Sequence, residues 1–233
     1  MKIKAILFDC DGVLIDSEHL VMLADMKYFK TLGLEYSEEE YHAKFLGSTF
    51  DQNIRVIKAD MQEQLGKHAP ENLKEALNKG RYQSLRNDLE PIEGVANFVS
   101  NLSLKIAVAS NTITCAWLAE KLEIAGLKTY FAPHIYAAEV VKHEKPAPDL
   151  YLYAAEKLGV MPENCMVVED SPRGAQAGIA AGMHTVGYAG ANGLPDSHAD
   201  KLKAVGCVEV FKNMSELGDY VALLQSGHVK RSA

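Results

Sequence analysis

The chain has 233 residues, enough for one large hydrophobic core or two smaller ones. Apolar residues make up 48% and charged residues 24%, as in an ordinary soluble globular protein. The formal net charge of -7 argues against nucleic acid or an anionic membrane as the main partner, while a local cluster of cations can still bind a small anion.

Lys2 and Lys4 precede an apolar stretch, but Asp9 interrupts it too early for a secretory leader, and no later window holds the ~18 continuous apolar residues of a membrane span. A cytoplasmic protein is expected. Residues 3–8 read as a first buried strand, which runs into Asp9-Cys10-Asp11-Gly12. From 17 to 88 there is no strand pattern and much helical periodicity. "EHLVMLADMKYFKTLG" puts Leu20, Leu23, Ala24, Met26 and Tyr28 to Leu32 on one apolar face. "SEEEYHAKFLG" ends a short helix at Gly47, and two further helical stretches follow. Short apolar runs then return at 105–109, 165–168 and 185–188, with a weaker one at 206–211. Helical patterns separate most of them, among them "ITCAWLAEKLEIAG" and "SPRGAQAGIAAG", the latter with Ser171 as N-cap and Pro172 at the first helical position. Residues 190–200 read as a loop and the tail "SGHVKRSA" as frayed.

Strands alternating with helices predict an α/β core, a doubly wound, Rossmann-like and mainly parallel sheet formed by 1–16 plus 89–233, with an all-α domain inserted over 17–88. The four cysteines, Cys10, Cys115, Cys165 and Cys207, are scattered and form no CxxC pair, which suits a reducing compartment. Cys10 reads as a small side chain turned into the core rather than a reactive thiol.

Ligands of such a sheet bind beyond the carboxyl ends of the strands. Asp9 and Asp11, at i and i+2 of an extended segment, project to one side, where a hard divalent cation such as Mg²⁺ would relieve their repulsion. Ser110-Asn111-Thr112 offers hydrogen-bond donors at a helix start, which suit an anion or serve as a plain cap. Lys145 precedes a proline-stiffened turn, and Glu169-Asp170-Ser171 gives a second acidic pair at a strand end. Two acidic pairs, a hydroxyl and a lysine at one sheet edge suit phosphoryl transfer assisted by a metal.

"DxDGVLIDSE", "SNT", "KPxPDxY" and "VVEDS", in this order and spacing, resemble the haloacid dehalogenase superfamily, and within it the sugar-phosphate phosphatases and β-phosphoglucomutases. The helical insertion is similar to that family's α-helical cap. The resemblance implies an aspartyl-phosphate mechanism in which Asp9 is the nucleophile and Asp11 the acid, then the base. Ser110 and Lys145 would hold the phosphoryl group, with Asn111 donating to it or shaping the loop. Mg²⁺ would be bound by the Asp9 carboxylate, the Asp11 carbonyl and Asp170, with Glu169 a direct or water-mediated ligand. The implied partner is a small phosphorylated metabolite, a sugar phosphate or a sugar acid such as 6-phosphogluconate, handled by a monomer. A phosphosugar isomerase is the alternative and a non-catalytic phospho-ligand binder a remote one. Substrate choice falls to the cap, where His19, Lys79 and Arg81 are the candidates, Arg81 as the partner of a substrate carboxylate. The cap loop carries Ser48, Thr49 and Asp51, a neutral-to-acidic set that favours a hydroxyl-rich substrate over a second phosphate.

Overall fold

The computed structural model describes residues 2–45, 48–195 and 197–226. Gly47, read as a helix end, Asp196 of the expected 190–200 loop and segment 227–233 of the tail lie outside the described residues. The chain divides into two compact units, Met1–Asp16 with Glu90–Ala233, and Ser17–Leu89, against the expected insertion over 17–88.

The first unit holds six parallel strands: β1 (Ala5–Phe8), β2 (Lys105–Ser110), β3 (Ile135–Ala137), β4 (Cys165–Glu169), β5 (His184–Tyr188) and β6 (Val210–Phe211), in the order β3-β2-β1-β4-β5-β6. Successive residues of β1 serve opposite faces, as the pleat requires. Ala5 and Leu7 join Leu150, Tyr151, Ala154 and Ala177 in one cluster. Phe8 turns the other way and meets Phe98 and Phe131 edge-on, at 6.0 and 5.8 Å between ring centres. With both faces covered, the central strands can be apolar throughout. β3 is absent from the sequence reading, and β6 is only two residues of the run expected over 206–211. Both are edge strands whose residues are mostly half-buried, so neither carries a strong apolar run.

The second unit is helical. It comprises α1 (Ser17–Leu32), α2 (Glu38–Phe45), α3 (Phe50–Leu65) and α4 (Leu73–Asp88). Its core gathers Met22, Phe29, Leu34, Tyr41, Phe45, Ile54, Ile57, Met61, Leu73 and Leu77. The buried stripe of α1 is Ser17, Met22, Asp25 and Phe29; of the face expected from the sequence, Phe29 is buried and Met26, Tyr28 and Leu32 pack against the core, while Leu23 is 44% exposed. A buried aspartate within the stripe explains the difference, because apolar periodicity alone cannot register it. Thr49 is a helix cap: its hydroxyl accepts from the Gln52 N–H, and the Gln52 side chain accepts from the Thr49 N–H. Asp51 pairs with Lys74 at 2.6 Å.

The remaining helices, α5 (Val95–Ser100), α6 (Cys115–Ile124), α7 (Lys128–Phe131), α8 (Asp149–Leu158), α9 (Pro172–Ala180), α10 (His198–Ala204) and α11 (Met214–Gln225), belong to the first unit. Among the described residues no helix is long and apolar enough to cross a membrane.

Candidate active site

The strand order reverses between β1 and β4, the kind of switch point at which open α/β sheets bind ligands. The register pairs Phe8 with Val168, and the Asp9 N–H donates to the Val168 carbonyl at 3.0 Å. Asp9 and Glu169 therefore leave adjacent strands at one level. After Asp9 the chain curls, with the Cys10 carbonyl accepting from the N–H groups of Leu14 (2.9 Å) and Ile15 (3.1 Å). Cys10 is fully buried, and burial pushes its thiol well above the usual range, which fits a core residue. The turn needs glycine twice over: Gly12 has φ +76°, and a Cβ there would lie 2.2 Å from Asp170 Oδ2.

Lys145, almost wholly buried, ties the two strand ends together. Its Nζ donates to Asp9 Oδ1 (2.6 Å), Glu169 Oε1 (2.6 Å) and the Tyr151 hydroxyl (2.8 Å), and Tyr151 donates in turn to Glu169 Oε1 at 2.8 Å. The loop carrying Lys145 is pinned by Asn111, whose Oδ1 accepts from the Lys145 N–H (3.0 Å) and whose Nδ2 donates to the Lys145 carbonyl (3.1 Å). Of the two roles expected for Asn111, this contact is the loop-shaping one. Arg173 donates to the same carbonyl at 3.1 Å.

Glu169 is engaged on both oxygens, because Oε2 accepts from the N–H (3.1 Å) and hydroxyl (3.0 Å) of Ser171. Ser171 caps α9 through the Gly174 N–H at 3.0 Å. Gly174 is what lets the carboxylate reach the helix start, since a Cβ there would lie 1.7 Å from Glu169 Oε1.

Burial pushes the Asp9 carboxyl up to about 7; Lys145 opposes this, while Glu169 and Asp11 add to it. Burial works against the Lys145 ammonium, but Asp9 and Glu169 outweigh it and hold that group above its ordinary value. Asp11 meets different surroundings. Lys121 of α6 donates to both its oxygens, at 2.8 and 2.6 Å, and to the Thr112 hydroxyl at 2.9 Å. Ser110 Oγ donates to that same hydroxyl at 3.1 Å.

Asp9, Glu169 and Asp170 each offer one carboxylate oxygen, all within 4.8 Å of one another. An all-oxygen, anionic set of this span fits a hard divalent cation such as Mg²⁺. The loop beneath is held by His198, whose Nε2–H donates to the Asp170 carbonyl at 2.6 Å.

Contacts within the first unit thus link Asp9, Asn111, Lys145 and Glu169, link Asp11 to Ser110 through Thr112, and bring Asp170 beside Asp9. The cap candidates fare differently. Lys79 is exposed on α4. His19 is half-buried, and its Nδ1 has no hydrogen-bond partner among the described residues. Arg81, expected to pair with a substrate carboxylate, pairs with a carboxylate of the chain itself. It is half-buried in the second unit beside the buried Asp25, donating to it through Nε (2.7 Å) and Nη2 (2.5 Å), and it lies 4.8 Å from the centre of the Phe50 ring. A buried carboxylate demands a partner, and Asp25 has Arg81 and the Tyr41 hydroxyl at 2.8 Å.

The sequence reading missed Lys121, Tyr151 and His198. Lys121 left a trace: the buried face of α6 is Leu118, Lys121 and Leu122, a lysine in the apolar stripe. Tyr151 is the final residue of "KPAPDLY" and had no role assigned.

Comparison with known proteins gives a consistent picture. A family model described as haloacid dehalogenase-like hydrolase matches residues 6–188. The 6-phosphogluconate phosphatase of Escherichia coli (strain K12) is 31% identical over 182 residues, 78% of this chain and 80% of that protein. The phosphorylated carbohydrates phosphatase of Thermotoga maritima is 30% identical over 212 residues, 90% of this chain and 94% of that one. A haloacid dehalogenase family hydrolase from Deinococcus radiodurans, solved with bound phosphate and sodium, superposes with a TM-score of 0.83 at 31% identity, covering 99% of both chains.

Proposed function

This chain belongs to the haloacid dehalogenase-like hydrolases and is a phosphatase, and from that premise we propose that it hydrolyses a small phosphorylated carbohydrate or sugar acid through an aspartyl-phosphate. The observation that carries this reading is the contrast between two carboxylates two residues apart. Asp9 is buried against Lys145, while Asp11 is gripped separately by Lys121. Unlike surroundings suit unlike roles.

In the first step an Asp9 oxygen forms a bond to phosphorus as the ester P–O bond breaks, and the leaving alkoxide takes its proton from Asp11. In the second, Asp11 takes a proton from water, whose oxygen attacks the same phosphorus and releases inorganic phosphate and the Asp9 carboxylate. Lys145 aligns Asp9 and, with Ser110, supplies donors for the phosphoryl oxygens. Asp9, Asp170 and the Asp11 carbonyl would hold Mg²⁺, whose positive charge would keep Asp9 ionised and neutralise the phosphoryl oxygens. All four acceptor positions of Glu169 already have partners, which favours a water-mediated part for it.

The substrate class rests on the relatives: the names of the Escherichia coli and Thermotoga maritima proteins point to 6-phosphogluconate and phosphorylated carbohydrates. The residue argument for a sugar acid weakens with Arg81 bound to Asp25, and so does the case for an isomerase, which needs a cation for its second phosphate. We expect the purified protein to release phosphate from a panel of sugar phosphates, 6-phosphogluconate and p-nitrophenyl phosphate with Mg²⁺ and not with EDTA. Asp9→Asn should abolish turnover, and Asp11→Asn should lower it about 10²–10⁴-fold on alkyl phosphates. Undiminished rates in EDTA would remove the metal from the scheme, and isomerised product would restore the mutase.

A further inference from the structure

We propose that Lys121 is a positioning residue for Asp11, bracing the proton donor against the phosphate-binding loop so that the protein can expel the strongly basic alkoxide of an aliphatic alcohol. The proposal rests on the reading of Asp11 as the acid of the first step.

Lys121 is 4% exposed, on a helix face otherwise made of Leu118 and Leu122. An ammonium has three N–H donors, and three oxygens surround this one: both oxygens of Asp11 and the hydroxyl of Thr112. Thr112 is bonded to Ser110, the phosphate-binding serine, and its hydroxyl lies 3.4 Å from Asp11 Oδ2. One buried cation thus fixes the rotation of the Asp11 carboxyl and ties it to the loop that would grip the phosphoryl group. Lys121 need not touch substrate for this. The cost of burying it is offset by the contacts to Asp11 and Thr112.

The bracing matters most when the leaving group needs a proton. As the Asp9 oxygen bonds to phosphorus, the electron pair of the breaking P–O bond goes to the leaving oxygen. An aliphatic alkoxide must take the Asp11 proton at that moment, whereas p-nitrophenolate leaves as a stable anion. kcat/KM reports this first step alone, because release of the alcohol is its first irreversible event.

The test compares Lys121→Met in the wild-type and Asp11→Asn backgrounds, measuring kcat/KM with Mg²⁺ for p-nitrophenyl phosphate and for the alkyl phosphate turned over fastest in the panel above. The expected result is a loss of about 10²-fold on the alkyl phosphate, typical of a misplaced reacting group, with p-nitrophenyl phosphate changed by no more than about threefold. In the Asp11→Asn background the second substitution should add nothing, since the residue it acts through is already disabled. Lys121→Gln, which keeps two N–H donors, serves where Lys121→Met does not fold, and should show the same selectivity at smaller size. Equal losses on both substrates, or full additivity with Asp11→Asn, would assign Lys121 to stability alone and overturn the proposal. An Asp11→Asn protein with wild-type kcat/KM on the alkyl phosphate would instead remove Asp11 as the acid, and the present proposal with it.

Discussion

Asp9 is a carboxyl whose burial opposes its charge more than the neighbouring Lys145 supports it. Burial raises it to about 7, from 3.8 in the unfolded chain, despite the Lys145 ammonium at 2.6 Å. Between those values the unfolded state has released its proton and the folded state still holds it. Unfolding then releases a proton, so stability falls as pH rises, at roughly 1.4 kcal/mol per pH unit for this one group. Above about 7 both states are ionised and the penalty is constant. In EDTA, Asp9→Asn should therefore gain thermal stability relative to wild type as pH rises from about 4 to about 7, after which the gap should level off. Scanning calorimetry of both proteins across that range measures it. A gap that stays flat or narrows would mean Lys145 already compensates the charge. With Mg²⁺ added, the wild-type decline should shrink, because a ligand that binds only the folded carboxylate stabilises it.

Among the elements, the helical unit joins three of its helices by polar contacts beside its apolar cluster. α1 contributes Asp25, α2 contributes Tyr41 and α4 contributes Arg81, and the three meet in its interior. Burial, with the nearby Asp25 carboxylate, pushes the Tyr41 hydroxyl far up, so it stays a neutral donor. Arg81→Met would keep much of the volume and leave Asp25 with one neutral partner. Breaking a buried pair from one side costs about 3–5 kcal/mol. Urea denaturation should show a loss of that size, with KM for the preferred sugar phosphate little changed. A raised KM with stability intact would return Arg81 to the substrate. Periodicity makes some of this legible and hides the rest. The central strands β1, β2 and β4 stand out because both faces are covered, and so do the acidic pairs at the ends of β1 and β4. The α1 stripe does not, since its key member, Asp25, reads as polar surface. Lys121 is hidden for the same reason: composition assigns lysine to solvent, and the carboxylate that most offsets its burial lies 110 positions away in the chain. β3 and β6 are short and half-buried, so tertiary pairing decides them rather than sequence pattern.

At the scale of the whole molecule, the insertion interrupts a sheet without disturbing it. β1 lies before the inserted unit, yet it pairs with β2 and β4, both after it. The chain that leaves and the chain that returns run side by side. The Asp16 N–H donates to the Glu90 carbonyl at 3.2 Å, the Ile92 N–H donates to the Leu14 carbonyl at 3.0 Å, and Ile15 bridges Pro91 in antiparallel fashion. Among the described residues, the cluster around β1 and that of the helical unit have no member in common. A core with its own cluster and closely spaced ends meets the conditions for folding alone. Replacing Ser17–Leu89 with a short glycine-rich turn should therefore leave a protein that unfolds in one cooperative transition. Its far-UV circular dichroism should lose the signal of four helices and keep that of the sheet. Because Asp9, Asp11, Ser110, Lys145 and Asp170 all remain, it should still hydrolyse p-nitrophenyl phosphate in an Asp9-dependent way. It should lose preference among sugar phosphates if the removed unit supplies the contacts that choose between them. An excised protein that fails to unfold cooperatively would show that the sheet needs the helical unit to fold. One that folds and keeps its full preference would move substrate choice back to the residues around Lys145.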